Sequence, residues 1–331
     1  MRILVTGGAG FIGSSLVDEL LELGHEVVCL DNFDPFYDPA LKYRNIRSAQ
    51  TNKNFTLVKG DVRDSSALQR CLEGRRVDVV VHLAAMAGVR PSIRQPELYY
   101  DVNVMGTGRL LEAMRAFDVK KLVFGSSSSV YGNNPKVPFS ESGSVDRPVS
   151  PYAATKKAGE LLCHTYHHLY GFDISCLRFF TVYGPRQRPE MAIAKFTSKI
   201  LKNEPIQLFG DGSTRRDYTY IGDIVKGLVA SVEKVKGYEI INIGGAATIS
   251  LRELVAKLEE ITGSKAIIEW LEPQPGDVDT TYADISKASQ LLEYSSEYPI
   301  ERGLRDYVEW LKAWDCAYNV HDRMESGTCE S

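Results

Sequence analysis

The chain has 331 residues, 44% of them hydrophobic and 25% charged. That is ordinary globular usage for about two packed domains and excludes a disordered chain. Its 39 basic and 43 acidic residues give a net charge of −4 with no basic block, which argues against a nucleic-acid partner.

In chain order, strands are predicted at Ile3–Val5, Glu26–Leu30, Phe55–Val58, Val77–His82, Lys121–Phe124 and Ile174–Arg178. Helices are predicted between them at Phe11–Leu23, Ser65–Leu72, Tyr99–Phe117 and Tyr152–Tyr170. Nearly continuous apolar strands alternating with helices point to an α/β fold, a parallel sheet covered on both faces. The pattern loosens after about Tyr183, where Pro185, Pro189, Pro205 and several glycines punctuate it. Residues 181–318 read as a smaller C-terminal α/β substrate lobe, some segments of which can return to the first domain. Its helices are expected at Met191–Lys202, Ile221–Val235, Ser250–Thr262 and Ile300–Ala313. Residues 319–331 are polar and read as a frayed tail.

Residues 3–13 read Ile-Leu-Val-Thr-Gly-Gly-Ala-Gly-Phe-Ile-Gly. The spacing Gly7-x-x-Gly10-x-x-Gly13 follows a strand and opens a helix. Such a turn lets backbone approach a pyrophosphate and aims a helix N-terminus at it. Gly7, Gly10, Phe11, Ile12 and Gly13 are therefore candidate cofactor contacts. The next strand ends in Asp31, followed by Asn32. A carboxylate there bonds a ribose hydroxyl and repels a 2′-phosphate, so NAD is favoured over NADP. A glycine trio alone is a tight turn; with strand, helix, strand and acid in order it marks a nucleotide site. Residues 1–180 thus read as a Rossmann-type, doubly wound NAD-binding domain. Asp61-Val62 and Leu83-Ala84-Ala85 follow the next two strands and extend the cofactor site, Asp61 toward an adenine amino group.

Tyr152-Ala-Ala-Thr-Lys156 starts a predicted helix after Ser150-Pro151. The i, i+4 spacing puts both side chains on one face. A free tyrosine, with a pKa near ~10, is a poor base; a nearby ammonium and an oxidised nicotinamide are expected to lower it. Upstream, Ser126-Ser127-Ser128-Ser129-Val130-Tyr131-Gly132 ends a strand, and a hydroxyl there can hold a substrate alcohol. Either motif alone is a polar surface; both, in order behind a dinucleotide turn, form a catalytic constellation.

These motifs, with His82-Leu83-Ala84-Ala85, Asn103 and Leu177-Arg178-Phe179-Phe180-Thr181-Val182-Tyr183-Gly184-Pro185, resemble the extended short-chain dehydrogenase/reductases, and among them the nucleotide-sugar epimerases. The likeness runs from Met1 to about Leu311. It implies Ser127, Tyr152 and Lys156 as the catalytic residues. It also implies Ser126, Asn103, Lys156 and Phe180 at the NAD site. The stretch from Asp31 to Lys42, Ala87–Arg90, and Arg188-Pro189-Glu190-Met191 are similar to the UDP-glucuronate 4-epimerase group. That likeness implies transient oxidation at C4 of a UDP-hexuronate, rotation of the keto sugar and return of the hydride. Substrate contacts are then expected at Val89, Arg90, Ser127, Ser128, Tyr152, Thr181, Arg188, Met191, Arg216 and Asp277. Thr181 and Arg188 would take the hexuronate carboxylate, and Arg216 the diphosphate. Galactose-type epimerases carry a second diphosphate arginine where this chain has Gln274. The rivals are a UDP-glucose or UDP-N-acetylglucosamine 4-epimerase, a UDP-glucuronate decarboxylase, and a non-catalytic NAD sensor; the intact Tyr152/Lys156 pair argues against the sensor.

The six cysteines show no C-x-x-C pair and no zinc spacing, so no metal is expected and a reducing compartment suits them. No apolar run approaches a membrane span, and the N-terminal apolar run is too short for a secretory leader. A cytoplasmic protein is the expectation. The resemblance also implies a homodimer joined through the two long helices of the first domain.

Overall fold

A computed structural model describes residues 1–272 and 278–325, the stretch 314–325 by its helical backbone alone. Strands β1 (Arg2–Thr6), β2 (Glu26–Asp31), β3 (Phe55–Lys59), β4 (Val79–His82), β5 (Lys121–Ser127) and β6 (Asp173–Phe179) join a later strand in one sheet. That seventh strand is β11 (Tyr238–Ile243), and the order is β3-β2-β1-β4-β5-β6-β11, parallel throughout. The winding reverses between β1 and β4, and a ligand crevice belongs there, at the carboxyl ends of the strands.

Alternation along the strands makes two cores. Ile3, Val5, Val27, Val79 and Val81 pack with helix α1 (Phe11–Glu22) and with Ile224, Val225 and Leu228 of a later helix, Ile221–Lys234. Leu4, Val28, Val80 and Leu122 face the opposite way, onto α3 (Ser65–Leu72) and α6 (Gly106–Ala116). The chain therefore crosses the boundary at 180 and returns: residues 221–243 supply both a covering helix and an edge strand to the first sheet.

The predicted helix at Tyr152–Tyr170 is α7, Pro151–Tyr170. Its start is dictated locally. Ser150 Oγ accepts the Ala153 N–H at 3.1 Å, and Pro151 fills the first turn, where its missing N–H costs nothing. Gly171, at φ 66°, ends it in the left-handed conformation.

The predicted helix Tyr99–Phe117 is not continuous. A short α5 (Pro96–Tyr99) gives way to a π-helical turn over Tyr100–Met105 before α6 begins. Asn103 sits in that turn, and its side chain is tied to other elements, which accounts for the extra residue. The last helix runs from Ile300 to Glu325, past the boundary at 319 where a frayed tail was expected. No glycine or proline follows Gly303 until after Glu325 to stop it. A third core, with Phe196, Leu208, Leu254, Leu304 and Tyr307, holds the smaller lobe together.

Candidate active site

A cleft of about 630 Å³ opens at the carboxyl ends of the central strands. Its floor is the turn after β1. A Cβ on Gly13 would stand 2.1 Å from the Gly7 carbonyl oxygen, and one on Gly7 would stand 2.7 Å from the Ala84 amide nitrogen. Both positions need a bare backbone. Helix α1 begins there with Gly10 as its cap and no side-chain capping bond. Gly10, Phe11, Ile12 and Gly13 all line the cleft.

Asp31 lines it at the end of β2. Its two oxygens accept the Ala9 N–H at 3.0 Å and the Phe33 N–H at 2.8 Å, so the carboxylate is held in one orientation. Asn32 donates to Asp61 at 2.8 Å. Asp61 was expected to face an adenine amino group. Here Arg63 grips it through two bonds, at 2.9 and 2.8 Å, and these hold its pKa down at about 2, with Asn32 adding to the effect. Val62, Leu83, Ala84 and Ala85 complete this side.

Tyr152, Lys156 and Ser127 are brought together in the cleft, the first two from α7 and the third from the end of β5. Ser127 is near enough to Tyr152 to favour its phenolate. Ser127 Oγ also donates to Ser129 Oγ at 3.2 Å. Lys156 Nζ donates to the Gly125 carbonyl at 2.7 Å and lies 5.9 Å from the centre of the Tyr152 ring. Burial pushes its pKa down to about 8.

Burial raises the Tyr152 phenol above its ordinary value; the neighbouring Ser127 hydroxyl and the charge of Arg188 pull the other way.

Val89, Arg90, Ser128, Thr181, Arg188 and Met191, expected at the substrate, and Phe180, expected at NAD, also line the cleft. Arg188 Nη1 pairs with Glu190 Oε1 at 3.1 Å, and its guanidinium stands 5.7 Å from the centre of the Phe36 ring. Arg90 lies 4.6 Å from the centre of the Phe209 ring. Sequence reasoning missed Phe36, Tyr37, Lys42 and Glu190, which also line the cleft. Lys42 is buried, donates to the Asp34 carbonyl at 3.0 Å, and sits 4.9 Å over the Tyr37 ring. A signal existed: Asp38-Pro39 is a helix start, and Lys42 falls on the first turns of the short helix that follows.

Three expected residues behave differently. Asn103 does not line the cleft. Its Oδ1 accepts the Met86 N–H at 2.8 Å, and its Nδ2 donates to the Met86 carbonyl at 2.9 Å and to Thr155 Oγ1 at 3.0 Å. It clamps the loop after β4 to the Tyr152–Lys156 turn, which uses up the amide. Ser126 borders the cleft, but its hydroxyl is committed to Glu160 at 2.7 Å behind the sheet. Arg216 is not brought into the cleft; its Nη1 donates to the carbonyls of Arg215 at 2.9 Å and Asp279 at 3.3 Å. Asp277 and Gln274 lie outside the described residues.

The chain thus presents a glycine-floored cleft at the switch point, with Tyr152, Lys156 and Ser127 gathered at it. Residues 3–244 match the NAD dependent epimerase/dehydratase family. The chain belongs to that family. A UDP-glucuronate 4-epimerase of Thermodesulfobacterium geofontis is 48% identical over 311 residues, covering 93% of this chain and 95% of that one. The crystal structure of a UDP-glucuronic acid 4-epimerase from Bacillus cereus, in complex with UDP-glucuronic acid and NAD, superposes with a TM-score of 0.88 at 41% identity. It covers 95% of this chain and 100% of its own. A UDP-glucose 4-epimerase from Thermotoga maritima, with UDP-glucose, has a TM-score of 0.88 at 35% identity, covering 95% and 99%.

The cofactor of this epimerase/dehydratase chain is NAD. The residues fit it. The floor leaves room only for a group that backbone can touch, an uncapped helix start faces it, and a carboxylate ends β2.

Proposed function

We propose that the chain interconverts UDP-glucuronate and UDP-galacturonate. One observation carries this reading: a guanidinium, Arg188, stands in the cleft within electrostatic reach of Tyr152, with Thr181 on the same wall. A hexuronate brings a carboxylate to that place, and a planar fork matches it. NAD, when bound between the glycine floor and Asp31, supplies hydride acceptor and donor chemistry at C4 of the sugar.

Tyr152 takes the proton of the 4-hydroxyl and later returns it. Ser127 orients that hydroxyl. Lys156 holds the cofactor ribose. Arg188 and Thr181 fix the carboxylate so that its bond to the ring is poorly aligned for loss of CO₂. That restraint separates an epimerase from a decarboxylase on the same fold. The pairing of Glu190 with Arg188 offsets part of the positive charge, and it is the one feature that favours neutral UDP-sugars as well.

An NMR time course of the purified protein with UDP-glucuronate, and no added cofactor, tests the proposal. Growth of UDP-galacturonate signals without CO₂ supports it. A pentose nucleotide makes the chain a decarboxylase. An unchanged spectrum, even with NAD added, removes the uronate assignment and sends UDP-glucose and UDP-N-acetylglucosamine into the same tube.

We also propose a homodimer joined through α6 and α7. Leu161 and Met105 are 56% and 54% exposed, beside a groove lined by Leu162, Tyr166 and Phe117. Sedimentation would show a species of twice the chain mass. Among the described residues no helix is long and apolar enough to cross a membrane. Cys29, Cys71, Cys163 and Cys176 are free and buried, in keeping with work in a reducing cytoplasm.

A further inference from the structure

Behind the cleft wall, a carboxylate is sealed from water. Glu160 lies one turn beyond Lys156 on α7 and is 0% exposed; Arg178 of β6 is 1% exposed. Arg178 Nε donates to Glu160 Oε1 and Nη2 to Oε2, both at 2.8 Å. Ser126 Oγ donates to the same Oε1 at 2.7 Å. Ser126 and Arg178 are register partners across β5 and β6. The next pair, Ser127 and Phe179, lines the cleft. One carboxylate thus ties two strands and the catalytic helix together, one residue before the reacting hydroxyl.

Stability alone is a weak reason for such an arrangement. Removing two charges from water is costly, and apolar residues of equal volume often serve as well or better. Arg178 Nη1 is buried without a partner, which adds to the cost. What the bonds do specify is geometry. A one-residue slip between β5 and β6 would send every side chain of the strand to the other face, turning Ser127 out of the cleft. A rotation of α7 would carry Tyr152 and Lys156 with it. Either movement breaks bonds to Glu160.

We propose that Glu160, Arg178 and Ser126 are positioning residues, a buried strut that sets Ser127 against Tyr152 and Lys156. This rests on the reading that those three side chains meet the substrate. The strut also acts through charge. Glu160 opposes the lowering of the Lys156 pKa that burial causes. Around Glu160 the charged groups are Arg178, Lys157 at 3.5 Å and Lys156. Around Tyr152 they are Lys156 on its own helix and Arg188 from the facing loop, with the neutral phenol of Tyr99 from α5.

The test uses two variants of the NAD-loaded protein. One carries Glu160→Leu and Arg178→Met together, replacing the pair by apolar groups. The other is Ser126→Ala, which keeps the ion pair and cuts only the tie to β5. The assay uses whichever UDP-sugar the wild type turns over. A wrong sugar assignment then shows in the wild type and leaves the strut test intact.

The double variant is expected to keep the wild-type Tm, bound NAD and KM while kcat falls about tenfold or more, the scale of a small misplacement of reacting groups. The acid limb of kcat is expected to move to higher pH, because Ser127, whose hydroxyl favours the Tyr152 phenolate, is held less closely against it. Ser126→Ala should show the same limb shift with a smaller loss, and it answers the question if the double variant does not fold. An unshifted limb in a folded variant, with kcat either kept or lowered, overturns the strut. Full activity in Tyr152→Phe overturns the reading beneath it.

Discussion

The two walls of the cleft are made in different ways. On the nucleotide side the main chain sets the surface: at Gly7 and Gly13 a single added carbon would collide with backbone 2.7 and 2.1 Å away. On the side proposed for the sugar the surface is side chains from loops and short helices, held as Arg188 is by Glu190, Arg90 against Phe209 and Lys42 by the Asp34 carbonyl. A backbone surface accepts one ligand shape and tolerates almost no substitution. A side-chain surface can be retuned one residue at a time. Room for a dinucleotide is therefore a property of the fold, with the Asp31 carboxylate favouring NAD over NADP, and on the proposed reading sugar choice rests with a few loop residues.

That contrast can be broken most severely at Gly13. Gly13→Ala forces the Gly7 carbonyl to move, and the expected outcome is protein without bound NAD and without turnover. Absorbance of the released cofactor after denaturation measures this. An alanine variant that keeps full NAD would show that the floor is softer than its contacts imply.

Arg188→Ala should spare NAD and lower kcat/KM for UDP-glucuronate by about 10²-fold, the scale of losing one partner of a desolvated charge pair. The pH profile sharpens the point. Arg188 favours the Tyr152 phenolate, so its removal raises the Tyr152 pKa further and moves the acid limb to higher pH. Arg188→Lys keeps the charge but loses the fork, so its limb should stay in place while uronate turnover falls.

The smallest effect is expected at Glu190. Glu190→Gln frees the guanidinium from its internal partner. KM for UDP-glucuronate should fall a few-fold, about 1 kcal/mol for a partly exposed pair, with no gain for UDP-glucose. Steady-state assays on both sugars check it; a higher KM would mean that Glu190 orients the arginine rather than competing for it.

Much of the nucleotide wall was legible because its causes are local. β1, the Gly7–Gly13 turn, α1 and Asp31 lie within one continuous segment, and the Ser150-Pro151 start of α7 needs no distant partner. The positions that escaped depend on contacts between residues far apart in sequence. The π-helical turn within 100–105 exists with Asn103 clamped to Met86 and Thr155, which no periodicity in 99–117 contains. Strand β11 was missed because Tyr238-Glu239 and Asn242 dilute its apolar run. The Tyr152–Lys156 pair was legible by its spacing, but the influences on the phenol come from burial, Ser127 and Arg188, elements that only the fold brings together. One unused clue was in plain view: Arg178 stands in an otherwise apolar strand, and a buried arginine requires a buried acid.

The return of residues 221–243 to the first sheet means that the halves of this chain are not separable pieces. A fragment ending near residue 180 would leave β6 with an unpaired edge and strip the helix Ile221–Lys234 from the apolar flank of α1. Such an edge invites pairing with other chains. The segments between β6 and the helix Ile221–Lys234 are thus sewn into a scaffold that resumes after them. They can be exchanged for others without the scaffold being redrawn, whereas the scaffold cannot be cut out from around them.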